Sequence, residues 1–342
     1  MGEKMRVLFP IIRGGSGGDV YFERLKEVME KLGVDSSIKY YPSHFEIYPP
    51  LVKPFYKGGD NYDVIHSTSD WGFVFKACYK PLVIITHHLV FEVQYQKYKS
   101  VPQKIYHKLL FSYTKKSFET ADKIIAMSNH TKEKIEEIFG IGDSDVIYNG
   151  IDTAVFRPID IKDDPYPDKI KLFFVGNLTK RKGAHLLPQI MGNLDDRFVL
   201  FYTSGLRSKE FFPNKNMISL GRLSFEKLLR MYNLCDMLLV PSVVEGGFSY
   251  AAAEAMACEK PVVASVSSGL YEMIENRGGF LCNTVEEFVE KIEILAEDET
   301  LRYEMGKYNR NKVLKTFNLL DTGKQYKRVY EKLIEKGTKN GY

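Results

Sequence analysis

The sequence predicts an α/β chain made of two doubly wound domains that face each other across a cleft. Three observations carry this. Short, continuous apolar runs alternate with helical patterns from end to end, the mark of parallel strands covered on both faces. The alternation closes near residue 150 and restarts after a polar, proline-bearing stretch, RPIDIKDDPYPDK. Glycine-bearing loops follow several strand ends, which is where open parallel sheets bind ligands. At 342 residues the chain also exceeds one ordinary core and suits two.

Taken in order, RVLFPII is the first strand, and VYFERLKEVMEKL is a helix with Tyr21, Leu25, Val28 and Leu32 on one stripe. SSIKYYPS, YDVIH, LVIIT and KIIAMS are further strands, TKEKIEEIF is a short amphipathic helix, and DVIYNGID ends the first series. The second series runs through IKLFFVGNL, RFVLFYTS, NMISLG, DMLLVPS and PVVAS. Between its last two strands lies a helix almost wholly of alanine that carries one carboxylate, Glu254. From about Glu286 onward the chain reads as helical and charged. These breaks predict Rossmann-like domains at 1–155 and 170–318, a linker at 156–169 and a closing helix at 319–342.

With 44% hydrophobic and 27% charged residues, the composition is that of a folded globular protein. No apolar run approaches the ~18 residues of a membrane span. The first residues enter a strand and a glycine loop without the cleavage site of a signal peptide. Cys78, Cys235, Cys258 and Cys282 have no paired spacing, which predicts reduced thiols in a cytoplasmic protein and neither disulfides nor a zinc site. A net charge of +4 on this length points to no nucleic-acid partner.

Four local patterns bear on chemistry. RGGSGGD, Arg13 to Asp19, places Gly14, Gly15, Gly17 and Gly18 between the first strand and helix, where backbone N–H groups can approach an anion. It is not a dinucleotide fingerprint, because Val20 holds the third glycine position and no acid follows the second strand. His87 and His88 follow an apolar strand, where an imidazole can exchange hydrogen bonds near neutral pH. In VGNLTKRKGAHLL, Lys180, Arg181 and Lys182 gather at the start of a helix after Gly183, a natural seat for a diphosphate. The fourth is EGGFSYAAAEAMA. Residues three and four from Glu254 are Tyr250, Ala251, Ala257 and Cys258, none of which neutralises a carboxylate. Such an acid lies at the surface or is reserved for a ligand's hydroxyls. Gly246, Gly247, Phe248 and Ser249 can aim main-chain amides at phosphate or sugar oxygens.

These blocks, with ADKIIAMSNHTKEKI, VIYNGIDTAVFRP and SSGLYEMIENRGGFL in the same order, resemble the retaining, nucleotide-sugar-dependent glycosyltransferases numbered family 4, with the GT-B architecture. The resemblance covers nearly the whole chain. It implies an acceptor-side first domain, a nucleotide-sugar-binding second domain, and a last helix crossing back to the first. Glu254 looks like the acid that holds the donor's ribose, and Glu245 like the acid near the transferred sugar. Lys182 matches the lysine on the diphosphate, and Gly247, Phe248 and Ser249 match the turn facing sugar and diphosphate. His88 matches the histidine at the sugar's edge, and Gly14 to Gly18 a loop over the diphosphate. Gly221 and Arg222 lie where the family holds the base.

The pattern departs at three places. Asn177 stands where an arginine usually follows the strand-end glycine, so Arg181 or Arg222 is left to supply that charge. Eight residues, not seven, separate Glu245 from Glu254, and Ser249 replaces a glycine. The resemblance further implies a hexose moved from a UDP- or GDP-linked donor to an acceptor hydroxyl with retention, the departing phosphate serving as base, with no cofactor and no metal. A sugar-nucleotide-binding partner without turnover and a GT-B epimerase or phosphorylase are the competing readings. A nicotinamide oxidoreductase is disfavoured by the missing fingerprint.

One further stretch bears on the acceptor. From Val93 to Phe118 there is no acid, while Lys97, Lys99, Lys104, Lys108, Lys115 and Lys116 alternate with tyrosines. VPQKIYHKLLFSYTKK reads as a basic amphipathic helix with Ile105, Leu109 and Ser112 on one stripe. It suits an anionic membrane surface and a lipid-linked or membrane-borne glycan acceptor, with the protein peripheral on the cytoplasmic face. A solvated helix face is the plainer reading.

Overall fold

A computed structural model describes residues 4–13, 17–77, 79–87, 89–92, 99–204, 213–267 and 269–339. The chain divides into two compact units, 1–150 with 319–342, and 151–318.

The first unit holds six parallel strands: β1 (Arg6–Ile12), β2 (Asp35–Tyr41), β3 (Val64–Thr68), β4 (Leu82–Thr86), β5 (Lys123–Ala126) and β6 (Asp145–Val146), in the order β2-β1-β3-β4-β5-β6. The chain moves outward from β1 to β2, then returns to lay β3 on the other side of β1. The direction of the connections therefore reverses between β1 and β3, which is the switch point of this sheet. Helix α1 (Gly17–Lys31) lays Tyr21, Phe22, Leu25, Val28 and Met29 into the core. Gly17 and Gly18, expected in the loop, form its first turn, whereas Gly14 and Gly15 fall outside the described residues. Helix α2 (Val101–Thr120) starts at a reciprocal cap between Ser100 and Gln103, with Pro102 in the first turn where its missing N–H is not needed. Helix α3 (Asn129–Phe139) ends at Gly140, whose φ of 71° is the left-handed stop.

The closing helix, numbered α10 (Leu319–Lys339), packs in this unit. Its Tyr326 and Tyr330 are fully buried, and the Tyr330 hydroxyl lies 2.7 Å from Nδ1 of buried His66 on β3. Gly323 lets the helix approach α1, since a Cβ there would sit 2.9 Å from the Val28 methyls. Lys327 Nζ donates to the Leu32 carbonyl at 3.1 Å.

The second unit repeats the plan with β7 (Ile170–Phe174), β8 (Phe198–Tyr202), β9 (Met217–Ser219), β10 (Met237–Val240), β11 (Val262–Ser265) and β12 (Gly279–Cys282), all parallel, ordered β12-β11-β10-β7-β8-β9. Its switch point lies between β7 and β10. Around the sheet stand α4 (Leu187–Gly192), α5 (Phe225–Leu234), α6 (Tyr250–Ala257), α7 (Leu270–Met273), α8 (Val285–Glu297) and α9 (Glu299–Thr316). The alanines of α6 are explained by burial: every residue from Ala252 to Ala257 is buried, so small side chains let sheet and α9 close on both sides.

Two expectations are corrected. The stretch 156–169 is not a free linker but part of the second unit. Phe156 is buried, Arg310 donates to the carbonyls of Thr153, Phe156 and Ala257, and Asp164 pairs with Lys171 at 3.0 Å. Its charged and proline residues look loop-like in sequence because these anchors come from distant strands and helices. The helix expected directly after Gly183 is instead a 3-10 turn, Ala184–Leu186, followed by the six-residue α4, with Pro188 in its first turn. A helix that short gives the basic loop little field from its N-terminus.

Candidate functional site

The two loops at the second unit's switch point are fastened to each other. Val243 and Val244 both donate their N–H groups to the Arg181 carbonyl, at 3.0 and 3.3 Å, and Arg181 Nη1 donates to the Val244 carbonyl at 3.2 Å. Gly183 makes the approach possible. Its φ is 71°, and a Cβ there would stand 1.8 Å from the Pro241 carbonyl oxygen. A second close approach joins the next loop, because a Cβ on Gly269 would lie 2.1 Å from the Gly247 carbonyl oxygen.

This stitching brings Lys182 onto Glu245. The ammonium lies 2.6 and 2.8 Å from the two carboxylate oxygens, and Ser242 Oγ donates to Oε2 at 2.6 Å. The Glu245 N–H donates to Ser267 Oγ at 2.9 Å. Glu245 is 4% exposed. Burial alone would raise its pKa, but the Lys182 charge and hydrogen bond, then Ser242 and Arg181, hold it below the usual carboxylate range. The carboxylate is thus ionised, enclosed and tethered through side chain and main chain. Lys182 is the more mobile partner, with a flexible stem and a side chain 22% exposed.

Glu254, on α6, is 5% exposed, and Tyr232 on α5 donates its hydroxyl to Oε2 at 2.9 Å. Its own helix offers no cation, as the alanine context implies, and the hydrogen bond comes from the neighbouring helix. Phe248 is buried against Phe317 and Tyr250, with ring centroids 5.4 Å away in each case. Ser249 stands at the N-cap of α6, yet its side chain does not cap it, and its N–H points at Met273 Sδ. Gly246 accepts from the Gly269 N–H at 3.3 Å. Asn177 is half-buried, its carbonyl accepting from Thr179 N–H at 2.8 Å. Gly221 has a φ of 62° and accepts from Ser204 N–H, and Arg222 beside it is exposed.

In the first unit, His88 falls outside the described residues, as does Lys97. His87 is turned into an aromatic cluster, 4.7 Å from Tyr21 and 6.3 Å from Phe22 between ring centroids. The basic stretch is corrected in part. Lys99 is half-buried and donates to the Val90 carbonyl, because α2 begins only at Val101 and Lys99 lies outside it. Lys115 lies 3.9 Å from Glu119, one turn on, and Lys116 sits over the Phe73 ring. Lys104 and Lys108 are exposed. The apolar stripe does not face the core. Val101 and Ile105 are 70% and 67% exposed, and Leu109 is exposed as well.

Sequence reasoning missed Tyr232, Ser242 and Ser267. Ser242 follows strand β10 by two residues, and strand-end position was a usable signal. Ser267 follows β11 by two residues in the same way, whereas Tyr232 reaches Glu254 only through helix packing, which no local pattern records. Among the described residues, no three His, Cys, Asp or Glu side chains are grouped to hold a metal, and no helix is long and apolar enough to cross a membrane.

Comparison with known proteins follows the same division of the chain. Residues 16–155 match the profile described as Glycosyltransferase Family 4, and residues 156–312 that of Glycosyl transferases group 1. An uncharacterised glycosyltransferase of Methanocaldococcus jannaschii is 30% identical over 275 residues, 75% of this chain and 69% of the relative. A second from that organism is 33% identical over 63% of this chain, and the match spans only 61% of its own length. Among solved structures, sucrose-phosphate synthase from Thermosynechococcus elongatus aligns with a TM-score of 0.83 at 20% identity, over 97% of this chain and 100% of that one. Anabaena HepE in complex with UDP-glucose aligns at 0.77 with 17% identity, over 96% and 100%. At such identities the likeness is one of fold, the two-domain α/β architecture called GT-B.

Proposed function

Because the chain belongs to the group 1 and family 4 glycosyltransferases, we propose that it moves a hexose from a nucleoside-diphosphate sugar to an acceptor hydroxyl with retention at the anomeric carbon. The observation that carries this reading is the Lys182 ammonium at the switch point of the second unit, within 2.8 Å of the anchored Glu245 carboxylate. There Lys182 takes the diphosphate, Glu245 the hydroxyls of the sugar, and Glu254 with Tyr232 the ribose. The anomeric C–O bond breaks with its electron pair passing to the phosphate oxygen. The acceptor oxygen forms the new bond on the same face, and its proton passes to that phosphate. Lys182 stabilises the charge developing on the leaving group, so the reaction proceeds without a metal. The UDP-glucose complex of Anabaena HepE favours a uridine donor as the first to try, with a guanosine donor second.

The test is a thermal-shift and calorimetric panel of UDP, GDP and ADP with their hexose conjugates, followed by product identification. Sugar carried to an acceptor supports transfer, and added chelator should leave the rate unchanged. An isomerised sugar nucleotide or a released sugar phosphate would point to an epimerase or a phosphorylase. Binding without turnover would leave a sugar-nucleotide-binding partner.

A membrane-borne glycan acceptor is the accompanying reading, which makes the protein peripheral on the cytoplasmic face. It is favoured by the exposed surface of the first unit. Val101, Ile105 and Leu109 stand beside Lys104 and Lys108, and the adjoining segment exposes Ile47, Tyr48, Leu51 and Phe55. The two are joined where the Tyr113 hydroxyl donates to the Ile47 carbonyl at 3.3 Å. Apolar side chains ringed by lysines suit an anionic bilayer.

A further inference from the structure

We infer that Glu245, fixed by Ser242 and Ser267, is a charge filter that favours the sugar nucleotide over the nucleoside diphosphate left after transfer. This rests on the reading that the diphosphate sits on Lys182, and goes beyond it by assigning a discriminating role to a pair of serines and the acid they hold.

The geometry sets up a conflict between carboxylate and ligand. Both Glu245 oxygens already lie on the Lys182 ammonium, at 2.6 and 2.8 Å. A phosphate oxygen bound to the same ammonium would stand about 4–5 Å from the carboxylate, given ordinary hydrogen-bond lengths. Glu245 does not swing away to relieve this. Ser242 Oγ holds Oε2 at 2.6 Å, and Ser267 Oγ holds the main-chain N–H at 2.9 Å. Nearly complete burial leaves the side chain no route to solvent. The lysine moves to accommodate the ligand, and the acid stays.

A fixed buried anion treats donor and product differently. In the sugar nucleotide the phosphate beside the sugar is bonded through oxygen to the sugar and to the other phosphate and carries one negative charge, and the sugar presents hydroxyls that donate to a carboxylate. After transfer that phosphate is terminal and gains a second charge, with a pKa near 6, while the hydroxyl donors leave with the sugar. Glu245 therefore repels the product more than the donor, whose lower charge and sugar hydroxyls offset the repulsion, and this difference hastens product release.

The experiment is calorimetric titration without acceptor, using UDP with UDP-glucose and GDP with GDP-mannose, on the wild type, Glu245→Gln and Ser242→Ala. Glutamine keeps the shape and removes the charge. We expect Glu245→Gln to tighten nucleoside diphosphate by about ten-fold while weakening or sparing the sugar nucleotide, as a like charge at this range implies. Ser242→Ala should move the ratio of the two affinities in the same direction by a smaller factor. In the wild type the preference should shrink as pH falls through 6 and the product loses its second charge; in Glu245→Gln it should not. That pH dependence is a readout that a scaffolding role for Glu245 would leave unmoved. Equal shifts for both ligands in Glu245→Gln, or a wild-type ratio indifferent to pH, overturn the filter while leaving the donor reading standing. If the wild type binds none of the four nucleotides, or Lys182→Met binds them as well as the wild type, the donor reading falls and the filter with it.

Discussion

The two units share a parallel six-stranded plan and differ in where they keep their charge and their apolar surface. The second unit takes two carboxylates inside, Glu245 and Glu254, and supplies each with a donor from another element, Lys182 with Ser242 and Tyr232. Its large exposed apolar side chains, such as Phe225, Tyr271, Ile294 and Tyr303, are spread along the chain. The first unit also buries Asp19 and Glu92, but it encloses a neutral histidine among aromatic rings, His66 with Tyr326 and Tyr330, and gathers most of its exposed apolar residues into 47–55 and 101–109, with Val20, Tyr79 and Leu320 outside them. One sheet thus builds an enclosed cluster of charged side chains, and the other builds an outward apolar face. The same topology is being used for two kinds of recognition.

The sharpest way to break this contrast is to remove one member of the Lys182–Glu245 pair. Lys182→Met leaves a buried carboxylate without its ion-pair partner, a situation worth about 3–5 kcal/mol of lost stability. Glu245→Ala leaves a lysine whose side chain already reaches solvent, so its cost should be clearly smaller. Urea unfolding of both variants measures the asymmetry, and equal losses would mean that Glu245 is not enclosed as described. Next in size is Gly183→Ala. The left-handed backbone and the collision with Pro241 should cost about 1–3 kcal/mol, and relief of the clash should separate the two loops, so nucleotide binding should weaken with stability.

Acid sharpens the comparison further. Burial, with His87 adding to it, pushes the His66 pKa down to about 3 from an ordinary 6.5. Between those values the unfolded chain takes a proton that the folded one refuses. The His66 contribution to first-unit stability should therefore fall as pH drops below 6.5, by up to ~1.4 kcal/mol per pH unit, while Asp70 in the same unit, its pKa raised by burial to about 7, contributes in the opposite sense over that range. Glu245 behaves oppositely: its pKa lies below the ordinary 4.5, so its contribution is complete above that value and is lost only as pH falls through the lowered one. The His66 share is read as the difference between wild type and His66→Gln, which does not titrate: between pH 7 and pH 5 the wild type should lose stability relative to that variant, and an unchanged difference would mean that His66 is not enclosed as described. A smaller effect, about 1 kcal/mol, is expected for Tyr330→Phe, which removes the hydroxyl from His66 Nδ1 and leaves the ring packing in place.

Strand order explains why much of this was legible in the sequence. Apolar runs identified the strands because parallel strands buried on two faces carry no polar alternation, and the Ala-rich α6 announced its own burial. Lys182 and Glu245 stood out because both follow strand ends, and the topology places those strands side by side. What escaped was set by packing between distant elements. Nothing near Tyr232 indicates that its hydroxyl meets Glu254 twenty-two residues on. The proline-bearing stretch 156–169 resembles a linker because its partners, Arg310 among them, lie far along the chain. The lysine stretch reads as one basic surface, yet Lys99 is half-buried on the Val90 carbonyl, since a sequence records charge and not direction.

The smallest expected change in stability is also the one that bears on the first unit's outward face. Phe55 and Ile105 are 61% and 67% exposed, so replacing both with glutamate should alter unfolding by no more than about 0.5 kcal/mol. The same pair of changes places two negative charges among Lys53, Lys104 and Lys108, where an anionic bilayer would have met only apolar and basic groups. Sedimentation with mixed phosphatidylcholine and phosphatidylglycerol vesicles should pellet the wild type and leave Phe55→Glu/Ile105→Glu in solution, with nucleotide affinity equal in both. Vesicles of phosphatidylcholine alone should retain little of either protein. Equal pelleting of wild type and variant would mean that the two segments do not form a membrane-docking face, and an exposed apolar surface of that extent would then call for a protein partner. Loss of nucleotide binding alongside vesicle binding would show instead that this face and the charged cluster are not independent, and the contrast between the two units would fail.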